Sequence, residues 1–109
     1  FCRSLISLNL SNFDTSKVTN MSYMFEWCDK LTNLDLGSFN TSILANTSYM
    51  FSRCTSLRTI NLSKAVFTKV TNSSDMFDGT SNLTVKVKDE AAKTFLTSKL
   101  GNNGTAVIA

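Results

Sequence analysis

Histidine is missing from this 109-residue sequence. That excludes His-based acid/base catalysis, Ser-His triads and His-ligated metals. Charge is also scarce: charged residues make up 17% against 42% hydrophobic, with Ser, Thr and Asn in the space Lys and Glu usually take. The net charge of +3 comes from basic residues spread singly, with Lys86, Lys88, Lys93 and Lys99 the nearest thing to a cluster. A nucleic-acid interface needs a concentrated basic stripe, so that partner is not expected. No apolar run is long enough to span a bilayer. The three cysteines form no C-x-x-C pair, so zinc is not expected either. Asp35, Asp75 and Asp78 stand apart without a partner at a mechanistic spacing. No nucleophile has an activating neighbour, so no catalytic residue, cofactor or metal is assigned.

What is present is a period. Phe25, Phe51 and Phe77 lie 26 apart, and Cys2, Cys28 and Cys54 keep the same interval, as do Leu5, Leu31, Leu57 and Leu83. Residues 3–28, 29–54 and 55–80 align as three copies, followed by a divergent segment, 81–109. Phe1 falls inside a copy, so the single domain 1–109 reads as a piece of a longer chain. A period in this range predicts a solenoid, each copy one turn of a right-handed coil of leucine-rich-repeat type, α/β in class.

Each copy opens with L-x-x-L-x-L, and its last two apolar positions alternate with polar ones, as in a half-buried strand. One short parallel strand per copy is predicted, at 7–11, 33–37 and 59–63. Leu8, Leu34 and Ile60 form one inward ladder and Leu10, Leu36 and Leu62 another, each side chain contributing roughly 1.5–3 kcal/mol on burial. Phe13 and Phe39 plug the polar corner that follows, where Thr15, Ser16, Thr41 and Ser42 can bond the turning backbone. Val18, Met21, Met24 and Phe25 then recur at helical spacing, with Thr19 a cap, which predicts a short α or 3₁₀ turn on the far side. Asn20, Asn46 and Asn72 align as an inward-facing ladder bonding loop backbone.

Beyond Leu83, the alternation L-T-V-K-V-K leads into DEAAKTFLTSKL. Acidic residues at its start, Lys99 near its finish and Gly101 as a stop predict a helix of about three turns. A last strand near 105–108 would complete a C-terminal helix-plus-strand cap. Ala65, Phe67 and Thr80 depart from the pattern of the earlier copies, as though the third copy drifts toward that cap.

The motif S-N-F-D-T-S-K-V-T-N-M-S-Y-M-F, followed by Cys and by L-T-N-L-D-L, is similar to the repeat of BspA-like leucine-rich-repeat surface proteins of Gram-positive bacteria and mycoplasmas. The segment V-K-D-E-A-A-K-x-F-L resembles the one that ends such arrays. The resemblance implies an extracellular protein at the bacterial cell surface or wall that binds host or matrix proteins, or glycans. An oxidising location would permit disulfides. Against that, Cys2, Cys28 and Cys54 occupy equivalent core positions and are odd in number, which favours a buried thiol ladder. The eight N-x-S/T sequons, from Asn9 to Asn103, follow from the repeat's own composition.

The candidate binding face is the outward side of the sheet: Ser7, Asn9, Asn33, Asp35, Thr59 and Asn61. The competing reading is a structural spacer, which would keep that face uniform and free of aromatics. The first copy, with Phe1, Leu5, Leu8 and Leu10, is expected to promote self-association through an uncovered edge.

Overall fold

Strand, turn and helix alternate because apolar triplets, Asx-type turns and one capped amphipathic segment succeed one another. The computed structural model describes residues 7–10 and 14–109, and at 7–9 the backbone alone. The elements are β1 (Ser7–Asn9), β2 (Asn33–Asp35), β3 (Thr59–Leu62), β4 (Leu83–Val87), the helix α1 (Glu90–Leu100), a 3₁₀ turn (Gly101–Asn103) and β5 (Gly104–Ile108). All strands are parallel, in the order β1-β2-β3-β4-β5. Leu8 pairs with Leu34 and Leu34 with Ile60, as the apolar triplets require. β2 is shorter than the predicted 33–37 because the Asp35 carboxylate accepts from the Gly37 amide at 2.9 Å, turning the chain.

The expected leucine-rich-repeat solenoid is not what the chain forms. Strand offsets of 26 residues between β2 and β3 (Leu34 to Ile60) give way to 25 between β3 and β4 (Ile60 to Val85) and 21 between β4 and β5 (Val85 to Ala106). The period therefore stops at β3, and the whole closes into a body of 30 × 28 × 24 Å with one parallel sheet and one α-helix among the described residues. Nor is the C-terminal segment a cap laid over a stack. Its strand β5 continues the same sheet beside β4.

The far-side helical turns are absent too. The return segments consist of β-turns closed by Met24 N–H to Met21 O, Cys28 to Phe25, Met50 to Thr47 and Cys54 to Phe51, at 3.1 to 3.3 Å. Their third residues, Tyr23, Trp27, Tyr49 and Arg53, have φ between 56° and 65°, the sign a type II turn requires. Two such turns reproduce the three-and-four spacing of a helix without its hydrogen bonds.

Successive return segments are joined by a ladder of their own. Amides of Met21, Tyr23, Phe25 and Trp27 donate to carbonyls of Asn46, Ser48, Met50 and Ser52 at 2.9 to 3.0 Å. Thr47, Tyr49, Phe51 and Arg53 repeat this onto Asn72, Ser74, Met76 and Asp78 at 2.6 to 2.9 Å. Between sheet and ladder lies the core, including Leu34, Leu36, Phe39, Phe51, Ile60 and Phe77. Phe25, Phe51 and Phe77 stack along it with centroids 5.7 and 5.3 Å apart. Phe67, one of the departures in the third copy, stacks on Phe95 of α1 at 5.0 Å and so anchors the helix. Phe1, Cys2, Leu5 and Phe13 lie outside the described residues.

Candidate binding surface

The strand alternation that buries Leu34 and Ile60 turns Asn33, Asp35, Thr59 and Asn61 to the other side. Asn33 and Thr59 are exposed; Asp35 and Asn61 are half-buried. These groups are brought together and bond one another. The Thr59 hydroxyl donates to Asn33 Oδ1, and Asn61 Nδ2 donates to Asp35 Oδ1 at 3.1 Å. Asn61 Oδ1 also accepts from the Ser63 amide at 3.0 Å. A Cβ at Gly37 would meet Asn61 Nδ2 at 2.9 Å and Asp35 Oδ1 at 3.0 Å, so a larger residue there would push these two side chains aside. Ser7 and Asn9 hold the registered backbone positions opposite Asn33 and Asp35, while their side chains lie outside the described residues. The register also shows that the face changes character. Asn61 is followed across the sheet by Lys86 and then by Val107, which is 37% exposed.

The aligned asparagines point elsewhere than expected. Asn20 and Asn72 are exposed and Asn46 is half-buried. Their Oδ1 atoms accept from the amides of Ser22, Ser48 and Ser74, two residues on, at 2.9, 3.0 and 3.4 Å. They cap their own turns, while their backbones bridge in parallel. Thr15 and Thr41 fulfil the corner role. Buried Thr41 Oγ1 donates to Val66 O at 2.5 Å and accepts from Val66 N at 2.6 Å, and Thr15 does the same with Asn40 at 3.0 and 2.9 Å.

The residues that sequence reasoning missed sit on the return side. There Tyr23, 54% exposed, stacks on Tyr49 with centroids 5.0 Å apart and rings 4° from parallel. The Arg53 guanidinium lies 5.3 Å from the centroid of the Trp27 ring, and its Nε is 3.9 Å from Asp78 Oδ2. The Asp75 carboxylate beside it holds the Tyr49 phenol above its ordinary value, since it favours the protonated hydroxyl and ionisation would place two negative charges together. The alternation Tyr23-out, Phe25-in was present in the sequence as Y-M-F, and the recurrence of Tyr at 26 residues was its signal.

Residues 2–90 match the family model described as "Mycoplasma protein of unknown function, DUF285". The chain belongs to the DUF285 family. The match spans the segments from β1 to β4 and ends at Glu90, the first residue of α1, so nearly all of the helix and β5 lie beyond it. No curated protein and no solved structure matches the DUF285 chain. The family match carries no leucine-rich-repeat assignment.

Cys28 and Cys54 of this DUF285 chain are both buried. Burial pushes the Cys54 thiol up to about 12, with the neighbouring Cys28 adding to the effect. Cys54 Sγ donates to Phe25 O at 3.0 Å. Such a thiol is a small core side chain and a poor nucleophile. Among the described residues no group of His, Cys, Asp and Glu is placed to hold a metal ion, and no helix is long and apolar enough to cross a membrane.

Proposed function

We propose that this DUF285 chain is a non-enzymatic binding module of a bacterial surface protein, engaging a host or matrix protein, or a glycan, through its return side. The observation that carries this reading is the stacked pair of Tyr23 and Tyr49, presented to solvent beside Trp27 and Arg53. Tyr, Trp and Arg are the residues that most often dominate binding energy at interfaces. Tyrosine offers a large contact area, a polar tip and little rotamer entropy to lose. The backbone also holds both tyrosines in the left-handed region, where a non-glycine residue costs roughly 1–2 kcal/mol. The surface location rests on the resemblance of V-T-N-M-S-Y-M-F to BspA-like surface proteins.

The polar sheet face is the weaker surface, because Asn33, Asp35, Thr59 and Asn61 direct hydrogen bonds to one another. That mutual bonding favours the second reading, a spacer, for the sheet side alone. Self-association through β1 remains part of the proposal, since β1 forms one edge of the sheet among the described residues.

The test is binding of the purified chain to immobilised extracellular-matrix proteins and to a glycan array. Two double variants are run beside it, Tyr23→Ser with Tyr49→Ser and Asn33→Ala with Thr59→Ala. Loss of about ten-fold or more in affinity for the tyrosine variant, with the sheet variant unchanged, is expected. Equal binding by all three, or no binding by the unaltered chain, would favour the spacer.

A further inference from the structure

The ladder between return segments ends with one row of donors unfilled. In the first two segments every second amide, from Met21 to Trp27 and from Thr47 to Arg53, donates to a carbonyl of the next segment. The equivalent amides of the third segment belong to Ser73, Asp75, Phe77 and Gly79, and among the described residues none of them has a hydrogen-bond acceptor. The sheet continues through β4 and β5, but α1 intervenes where a fourth return segment would lie. Between the two is a groove of about 480 Å³ lined by Ser73, Asp75 and Phe77 on one side and Ser98, Lys99 and Asn103 on the other. That volume falls within the roughly 300–1,000 Å³ typical of ligand sites.

The electrostatics of the groove favour an acceptor. Asp78 lies against Arg53 and Asp75 beside Tyr49, so both carboxylates lie toward the preceding segment. Lys99 has its ammonium 5.5 Å from the Phe95 ring centroid. Asn103 Nδ2 donates to Phe77 O at 3.0 Å, which fixes the groove's far wall. Unfilled backbone N–H groups and the Lys99 ammonium line this space, and the Phe77 carbonyl there already accepts from Asn103.

We propose that this groove docks a short peptide segment of a partner, whose backbone carbonyls accept from Ser73, Asp75 and Phe77 as an added rung of the ladder. The reason for a peptide is within the chain. Rows with the same spacing are filled twice by its own segments, through the carbonyls of Asn46, Ser48, Met50 and Ser52 and then of Asn72, Ser74, Met76 and Asp78. A second whole copy does not fit, because β4 already occupies the place beside β3 that its first strand would need. A single segment meets no such obstacle. This is edge addition of the kind that supplies main-chain affinity elsewhere, and it is independent of the aromatic face.

The experiment is an amide-resolved NMR titration of the isotope-labelled chain with a blocked peptide of sequence NTSYMFSR, that of residues 46–53, which fills the first row in cis. Saturable shifts and slowed exchange at Ser73, Asp75 and Phe77 are expected, with Thr47, Tyr49 and Phe51 unmoved. Ser98→Trp, on the exposed side of α1, plugs the groove and should weaken binding about ten-fold or more. Nuclear Overhauser contacts between the peptide and the Lys99 side chain provide a check that needs no variant. Absence of saturable shifts at the three amides, the same shifts with inorganic phosphate alone, or peptide contacts that bypass Lys99 would overturn the proposal.

Discussion

At position 79 a glycine stands where the two earlier segments have Trp27 and Arg53, and all three adopt positive φ. The backbone demand is thus the same in each segment, and only the third meets it without a side chain. Buried hydroxyls show a similar economy. Thr41 Oγ1 alone partners both the N–H and the C=O of Val66. Thr41→Val keeps the volume but strands both groups, so a loss of roughly 1–3 kcal/mol is expected in urea unfolding, with Ser42→Ala as a near-neutral comparison. Cys54 makes a prediction with a definite sign. Its thiol keeps its proton in the fold up to about 12, against an ordinary value of 9.0. The native state therefore holds more protons above pH 9, and the stability this represents is complete below that pH and lost as pH rises toward 12. Urea midpoints between pH 8 and 11 should fall more steeply for the unaltered chain than for Cys54→Ala. Equal slopes would contradict the assignment.

Among the elements, α1 was the most legible in sequence, because each of its boundaries has a chemical cause. The Asp89 side chain accepts from the Ala92 amide at 3.0 Å, Glu90 and Lys99 complement the dipole, and Gly101 ends the helix at φ 53°. Asp89→Ala should cost about 1 kcal/mol, read as a shift of the unfolding midpoint with unchanged slope. The strands were legible from the L-x-L triplets, which fix both their faces and their register. The return segments were not. Met21, Met24 and Phe25 at spacings of three and four fit a helix, yet the consecutive β-turns bury only their first residues, Met21 and Phe25, and leave Met24 exposed. The richness in Ser, Thr and Asn there argues for turns, since those side chains compete for backbone hydrogen bonds. Gly79 aligned with Trp27 and Arg53 was the second available signal. Tyr23 and Tyr49 escaped notice as a displayed pair because a helical reading puts no pressure on their backbone, whereas the turns force them outward.

For the molecule as a whole, two hydrogen-bonded ladders, one of strands and one of return segments, enclose a common core. The 26-residue spacing specifies both ladders through β3, and the one-residue contraction before β4 marks where they part. Beyond that point the sheet gains two strands while the other ladder gains nothing, which leaves an open row of amides beside α1. Sequence periodicity predicts the first part and is silent on the second, because the placement of α1 depends on burial of Ala92, Leu96 and Leu100 and on the stacking of Phe67 on Phe95. Residue-resolved native-state hydrogen exchange tests this construction most directly. Amides of Thr47, Tyr49, Phe51 and Arg53 should exchange slower by orders of magnitude than those of Ser73, Asp75, Phe77 and Gly79. Equal rates in the two sets would contradict it.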